Sequence, residues 1–369
     1  MMMMMMMMNK AKARVLSVIA ALDKRWFAHD VDAAHLALVR IVLGALLAVR
    51  SYESVGWVLS AATKPVALHT VSPIVEWAPL MPHPAPPEFG TPLFVVYLAS
   101  AVLMTLGVLT RVSTALCAAL TMWIFAVASS GGIFNHGSPV PALALVVLIF
   151  APGTSAYSVD RALLRHRART RAEKPPPPWA PPAPGWGKEI IIALLALIYL
   201  ASGIAKLRHG GIAWLDGSTL SFYLSGFTNG QQLFIAAAGA APEHAASAQT
   251  FRDGVGLVAH TYASAPTALG LWMSTQRWLC VALCGGTLVV EIGAPLALMW
   301  GGRARTVGLA LGLSLHVGIA STLGIMFSWW MALEGLLLAV ALAAPIMMMK
   351  KMRAASPFAS TSGADAASR

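Results

Sequence analysis

The sequence predicts an all-α fold, a polytopic transmembrane helical bundle of about eight spans with outward-facing loops that contain short helices. Hydrophobic residues make up 57% of the 369-residue chain, and charged residues only 11%. Soluble globular domains carry about 25% charged residues, so the composition excludes an ordinary water-soluble domain. The apolar residues also recur in stretches of about 20, which is the length that a helix needs to cross a membrane.

Eight apolar stretches are predicted to form the spans. They cover residues 33–50, 92–110, 112–129, 139–157, 189–207, 278–300, 306–326 and 328–349. We therefore place a single transmembrane domain at 31–349. Two connections are long, 51–91 and 208–277, and loops of this length are seldom structureless unless they are functional. Apolar patches within 208–277 favour short helices that cap the membrane domain.

The distribution of lysine and arginine predicts the orientation in the membrane. Basic residues concentrate in the N-terminal segment 1–30, the turn at Arg111, the linker 158–188, the turn GGRAR and the tail 350–369. Because such residues near span ends face the cytoplasm, we expect both termini there, in a membrane of the bacterial inner type. This bias accounts for the net charge of +11 and gives no indication of nucleic-acid binding.

The hydrophilic segments differ in their expected structure. Residues 15–27 are too short to span and are expected to form an amphipathic helix on the inner surface. The linker 158–188 combines arginines, expected near anionic lipid headgroups, with prolines that favour an extended chain. The tail 350–369 is expected to be disordered. Three cysteines in apolar stretches make no disulfide framework, and no cluster has metal-ligand spacing, so no metal is expected.

Several polar groups share the outer face in this orientation. Lys206 ends the apolar run EIIIALLALIYLASGIAK, about 26 Å along a helix from Glu189. The Lys206 ammonium at that depth either extends along the helix to reach water or has a functional role. Asn135 and His136 lie in SSGGIFNHGSP, which is equally consistent with a polar turn, and Trp214 begins a WLDG turn. Polar residues without a function would be distributed over both faces of the membrane domain. The position of these residues on one face therefore favours a functional site.

Four ionisable residues interrupt the apolar stretches and are candidates for function or for buried pairing. Arg40 lies in the first span, where a structural pairing with carbonyls or a carboxylate is the main alternative. Glu291 is expected to pair with Arg40, His316 or water. His316 is either a satisfied core histidine or a site member. Glu334 follows two tryptophans that are most simply anchors at the membrane interface.

The sequence YLASGIAKLRHGGIAWLDGSTLSFYL at 199–224 resembles the signature of the vitamin K-dependent gamma-carboxylase membrane domain, also called the horizontally transferred transmembrane (HTTM) domain. Members carry an aromatic-rich span that ends in small-Gly-x-x-Lys-Leu and is followed by Trp-x-x-Gly. The turn FNH is similar to the Asn-His element of the family, and LHVGIASTLGIMF to its late histidine-containing stretch. The resemblance extends over roughly residues 30–345.

The resemblance implies a quinol-dependent enzyme. In the carboxylases the lysine of this motif deprotonates reduced vitamin K, whose oxygenation by O₂ yields a strong base and finally the epoxide. That base removes a gamma proton from a glutamate, and the carbanion takes up CO₂. The lysine matches Lys206, and the Asn-His element matches Asn135 and His136, which would stabilise the reacting groups. The remaining candidates are expected to bind the quinol: His316, Glu291, Trp214, Tyr199 and Arg40.

Two features of the sequence leave other functions open. The carboxylases hold their protein substrate with a large extramembrane C-terminal domain, whereas this chain ends soon after its eighth predicted span. A secreted peptide or protein is therefore one expected substrate, but glutamate carboxylation is in question. The alternative is a non-enzymatic membrane protein, either a peptide-maturation or immunity factor or a small-molecule transporter. Transporters place their sites at the midplane of related halves, and no internal repeat is visible here.

Overall fold

The structure is a computed structural model that describes residues 30–62, 86–130, 139–171, 177–225 and 267–354, with the single positions 12, 16, 17, 20 and 76. These ranges are almost entirely helical, so the predicted all-α class is confirmed. One short antiparallel ladder departs from it, because β1 (Asp30–Asp32) pairs with β2 (Pro182–Pro184). Of the helix expected over 15–27, only positions 16, 17 and 20 are described. The tail 350–369 was expected to be disordered, but its described residues 350–354 continue the last helix.

The helices follow one another in the order that the apolar stretches predict. Before β2 the described chain forms α1 (Ala34–Val49), α2 (Ser51–Ala62), α3 (Gly90–Leu106), α4 (Thr110–Ser130), α5 (Pro139–Phe150) and α6 (Val159–Thr170). After β2 it forms α7 (Trp186–His209), α8 (Ser218–Leu224), α9 (Ala268–Ser274), α10 (Arg277–Trp300), α11 (Gly302–Leu323) and α12 (Ser328–Ala354). Two 3-10 helices, Pro87–Phe89 and Gly211–Asp216, precede α3 and follow α7.

Five helices in the described ranges are long and apolar enough to cross a membrane: α3 together with its 3-10 helix, α4, α7, α10 and α11. The pair α1 and α2 meets the test as one span that bends by 54°. The apolar parts of α5 and α12, Val140–Phe150 and Ser328–Ala343, are shorter. All eight predicted stretches are therefore helical, while the number that span the membrane is five or six by this measure.

Three boundaries differ from those predicted. Residues 51–62 continue as α2 after the bend, although a loop was expected from 51, because proline first occurs at Pro65. The turn expected at Arg111 precedes it, where Gly107 and Leu109 take φ values of +69° and +46°. The span predicted to reach 157 ends at Phe150, because Pro152 and a left-handed Gly153 follow.

The linker 158–188 is half helical, whereas an extended chain was expected. Its arginine-rich part forms α6, and the Ser158 hydroxyl caps that helix by accepting a hydrogen bond from the Arg161 amide at 3.0 Å. This part contains no proline or glycine, so the helix is not interrupted. The prolines lie in the second part, whose described residues include β2.

The long helices pack around one main hydrophobic core. α1 packs against α3, and α4 lies between α3 and α5, with Trp123 and Tyr97 among the largest buried side chains. α10 packs along both α7 and α11, and α12 contacts α11 and α1. Arg305 joins the first turns of α11 and α7 by two hydrogen bonds, of 3.0 and 2.7 Å, to the carboxylate of Glu189.

The described parts of 208–277 form short helices, as expected. α8 and α9 pack against α10 and α11, and Leu224, Met273 and Cys280 form a small apolar cluster between them. Gly217 turns the chain into α8 with φ +78°, and a Cβ at this position would lie 2.8 Å from the Val281 amide nitrogen. The short helices therefore cover the bundle at the end where α7 terminates.

Candidate functional site

One face of α7 carries the polar residues that the sequence singled out. Tyr199, Gly203 and Lys206 lie at spacings of four and three residues, which aligns them on one side of an α-helix. This side is turned towards α10, as the closeness of Gly203 to Glu291 shows. The residues extend over about 10 Å of helix length, so one stripe of α7 can serve a continuous polar region inside the bundle.

Lys206 forms an ion pair with Glu291 of α10. The Nζ atom lies 2.6 Å from Oε1, and the exposed fractions of the two side chains are 23% and 8%. The sequence led us to expect Arg40, His316 or water as the partner of Glu291, but its hydrogen-bond partner is Lys206. The reason is the close contact of α7 with α10, where a Cβ on Gly203 would lie 3.2 Å from the Glu291 Cβ. The glycine thus lets the two helices approach at the level of the pair.

An aromatic ring lies beside the pair of Lys206 and Glu291, and some polar atoms at this place lack a hydrogen-bond partner in the described part of the chain. Lys206 Nζ lies 5.4 Å from the centroid of the Trp214 ring, which faces it from the 3-10 helix. Such a contact between a cation and a π-system is favourable when water is excluded. Of the buried polar side-chain atoms that have no hydrogen-bond partner within the described ranges, two belong to this site, Glu291 Oε2 and Trp214 Nε1. The site therefore offers one acceptor and one donor beside the ammonium.

A second polar group lies deeper in the bundle, around His316 of α11. Its Nδ1 atom lies 2.9 Å from Glu334 Oε2 and 3.0 Å from the Tyr199 hydroxyl. The Tyr199 hydroxyl also donates to Glu334 Oε1. If Nδ1 carries the proton of a neutral ring, Nε2 becomes an acceptor, and this assignment follows from the hydrogen-bond partners.

Aromatic rings and a glycine shape this second group. The rings of Trp330 and Phe327 lie 5.1 and 5.3 Å from that of His316. A Cβ on Gly312 would lie 2.6 Å from the Tyr199 hydroxyl, so only glycine leaves room for it. The tryptophans before Glu334 were expected at the membrane interface, yet Trp330 is only 4% exposed because it packs on His316 and Tyr199.

The two groups belong to one polar network. Glu291 is close enough to His316 for the two to interact electrostatically, and it also interacts with Tyr199. Four of the predicted residues are thus brought together: Lys206, Glu291, His316 and Tyr199. Trp214 joins them through its ring. Glu334 was among the ionisable candidates in the sequence, because an acidic residue inside an apolar stretch is a signal of function or pairing, but it was assigned no specific role.

Arg40 is not part of this network. It is fully buried, and its guanidinium donates to the carbonyls of Met104 at 2.5 Å, Thr105 at 2.9 Å, and Ala156 and Tyr157 at 3.2 Å. These carbonyls belong to the end of α3 and to the turn before α6, where helix ends leave acceptors unsatisfied. The contacts of Arg40 therefore agree with the alternative of a structural pairing with carbonyls. None of its described contacts supports the expected role in binding a quinol.

The remaining candidates are outside the described residues. Asn135 and His136 fall in the interval between Ser130, where α4 ends, and Pro139, where α5 begins. Their predicted roles stay predictions. Among the residues that the structure does describe, no group of three or more His, Cys, Asp or Glu side chains could hold a metal ion.

Comparison with known protein families gives one match. A family model for the HTTM domain matches residues 28–238, which is more than half of the chain. The match includes Lys206 and Trp214 but ends before α10, so Glu291, His316 and Glu334 lie beyond it. No curated protein and no solved structure matches the chain. The chain belongs to the HTTM domain family, a membrane-protein domain found in vitamin K-dependent carboxylase-like proteins.

Proposed function

We propose that the protein is a membrane enzyme that oxidises a reduced quinone of the vitamin K type with O₂, using Lys206 as the base. The observation that carries the proposal is the partly buried pair of Lys206 and Glu291, 2.6 Å apart, together with the Oε2 atom of the carboxylate, which has no hydrogen-bond partner in the described part of the chain. A quinol hydroxyl both donates and accepts hydrogen bonds. It therefore suits a site that offers an acceptor, a donor and an ammonium.

A purely structural role accounts poorly for this pair. Charges inside a bilayer are expensive, and an ion pair stabilises a buried position only when the remaining hydrogen-bonding capacity is also satisfied. Glu291 Oε2 and Trp214 Nε1 leave that capacity unused within the described part of the chain. A bound substrate that forms hydrogen bonds with these two atoms would offset the free-energy cost of leaving them unsatisfied.

The same network supplies residues that would hold the quinol. Trp214 presents a ring beside Lys206, and aromatic rings stack on quinone rings in the way they stack on one another. His316 and Tyr199 would contact a group placed deeper along α7. Asn135 and His136 are proposed to complete the site on the basis of the family resemblance alone. Arg40 is left out, because four carbonyls occupy its guanidinium.

Carboxylation is the second half of the proposal. The exclusion of water from a site inside the bundle would protect a carbanion from reprotonation until it meets CO₂. The acceptor would be a glutamate side chain of a secreted peptide or protein, reached from the extracytoplasmic side of a bacterial-type inner membrane. The arginines of α6 would lie against anionic lipid headgroups on the opposite side.

The test uses purified full-length protein in lipid nanodiscs. Reduced vitamin K is supplied in air, and epoxide is measured by chromatography. We expect epoxide from the wild type, and loss of at least about 100-fold in Lys206→Ala, because removal of a general base costs about 10² to 10⁴ in rate. Lys188→Ala is the matched control, since this lysine lies on the same helix at its other end. Equal rates for the wild type and Lys206→Ala would refute the proposal.

A further inference from the structure

We infer that Glu291 is the proton acceptor behind Lys206, so that the lysine and the carboxylate take a proton from the substrate as one unit. The inference rests on the proposed function, because it assigns a partner to the proposed base. It goes further in giving a role to a residue beyond the region that the family model matches.

The contact has the geometry that direct proton transfer requires. Lys206 Nζ and Glu291 Oε1 are 2.6 Å apart, at the short end of the range for charge-assisted hydrogen bonds. Gly203 fixes this distance, because it lets α7 approach α10 within contact of the Glu291 Cβ. The carboxylate side chain is only 8% exposed. Its Oε2 atom has no partner in the described part of the chain and can carry a proton.

An ion pair by itself is not a base, since its lysine already carries a proton. The pair as a whole can nevertheless accept one. An N–H bond of the Lys206 ammonium breaks as the O–H bond forms on Glu291, and the proton of the quinol hydroxyl moves to the lysine nitrogen. Lysine ends as an ammonium beside the quinol oxyanion, and Glu291 ends as a neutral acid. The positive charge thus stays next to the developing negative charge, where it is most stabilising in a dry site.

Other titratable groups face Glu291 from the elements that pack against α10. They are Lys206 and Tyr199 on α7 and His316 on α11. Asp216 on the 3-10 helix and Tyr223 on α8 belong to elements that also pack against α10. α9 contributes none. His316 interacts electrostatically with Glu291, which makes it the next group along the network. The pH dependence of the unit must therefore be read from variants of Glu291 and not from the wild type alone.

The first test measures the protonation of Lys206 without any turnover. Nanodisc-embedded protein is treated with acetic anhydride at neutral pH, and acetylation of Lys206 is quantified by mass spectrometry relative to Lys188. The carboxylate stabilises the ammonium, so Glu291→Gln should raise the labelling rate of Lys206 by about tenfold or more. Glu291→Asp keeps the charge and should stay close to the wild type. An unchanged rate in Glu291→Gln would overturn the inference.

The second test uses the pH profile of epoxide formation. In the wild type the acidic limb reflects protonation of the pair at Glu291. In Glu291→Gln the limb should move to higher pH, because Lys206 must then lose its own proton first, and Glu291→Asp should restore the wild-type limb. A carboxylate that only supports the structure would lower the rate equally at every pH.

The two tests separate this inference from the proposed function. If the wild type forms no epoxide but Glu291→Gln still raises labelling of Lys206, the proton coupling stands and the proposed reaction is wrong. If epoxide forms and the limb does not move in Glu291→Gln, Lys206 acts without Glu291, and the inference is wrong while the function survives.

Discussion

Replacement of Gly312 by alanine should disturb the hydrogen bonds around His316 without removing a polar or charged side chain. A Cβ at this position would lie 2.6 Å from the Tyr199 hydroxyl and 2.9 Å from Glu334 Oε1. An ordinary van der Waals contact begins near 3.4 Å, so the tyrosine must move by about 0.8 Å. A movement of this size lengthens or breaks its hydrogen bonds to Glu334 and His316.

The magnitude follows from two opposing terms. Overpacking in a filled core costs about 1–3 kcal/mol, while alanine in a helix interior gains about 1 kcal/mol over glycine. Gly318 on the same helix is the matched control, because a Cβ there meets nothing within 4 Å. Gly318→Ala should therefore show the gain alone, and the difference between the two variants isolates the clash. We expect Gly312→Ala to be less stable than Gly318→Ala by about 1–3 kcal/mol.

The assay is reversible denaturant unfolding in mixed micelles, with epoxide formation measured on the same samples in nanodiscs. Gly312→Ala should lose stability relative to its control and also form epoxide more slowly, since Tyr199 and His316 are proposed to hold the quinol. If the two alanine variants are equally stable, the tight packing of Tyr199 against α11 is refuted. A stability loss with unchanged epoxide formation would instead remove this group from the proposed quinol site.

Two further predictions concern the opposite end of the bundle. Burial pushes the pKa of Asp160 upward, but hydrogen bonds from the Thr110 amide and hydroxyl lower it overall. The folded pKa thus lies below the unfolded one, so the stabilisation is present above about pH 4 and is lost as pH falls through the folded value. Unfolding midpoints measured from pH 6 to pH 2.5 should fall less steeply in Asp160→Asn than in the wild type, and parallel curves would contradict this. Arg305→Met leaves Glu189 without its main partner and should cost about 3–5 kcal/mol in denaturant unfolding. A second change, Glu189→Leu, should recover most of that loss, and no recovery would show that the pairing is not its source.

The sequence predicts the positions of the polar residues better than their partners. Hydropathy and charge bias locate Lys206, Glu291 and His316 within the apolar stretches, because an ionisable residue there stands out against its neighbours. The pairing of Lys206 with Glu291 joins residues 85 positions apart. It depends on how closely α7 and α10 pack, which a single glycine permits. No local pattern in either helix specifies that distance.

Local structure shows a similar division. The apolar runs predict every long helix, since length and hydropathy suffice for a span. They do not predict the bend between α1 and α2, which measures 54°. They also do not predict the helix α6, because the prolines of the linker 158–188 led us to expect an extended chain. Composition averaged over 158–188 hides the change from an arginine-rich half to a proline-rich half. Arg40 shows the limit for single residues, because its four carbonyl partners come from segments more than 60 positions away.

Two ion pairs of opposite character join α7 to neighbouring helices, and the contrast supports the proposal that one of them carries chemistry. At its first turn, both carboxylate oxygens of Glu189 accept hydrogen bonds from Arg305 in a bidentate pair. That geometry satisfies the acid and joins α7 to α11. Near its last turn, Lys206 occupies only one oxygen of Glu291 and leaves the other without a partner in the described part of the chain. Arginine stays protonated at any physiological pH, whereas lysine can release its proton when desolvated. The first pair suits a helix clamp, and the second pair suits the proposed proton transfer.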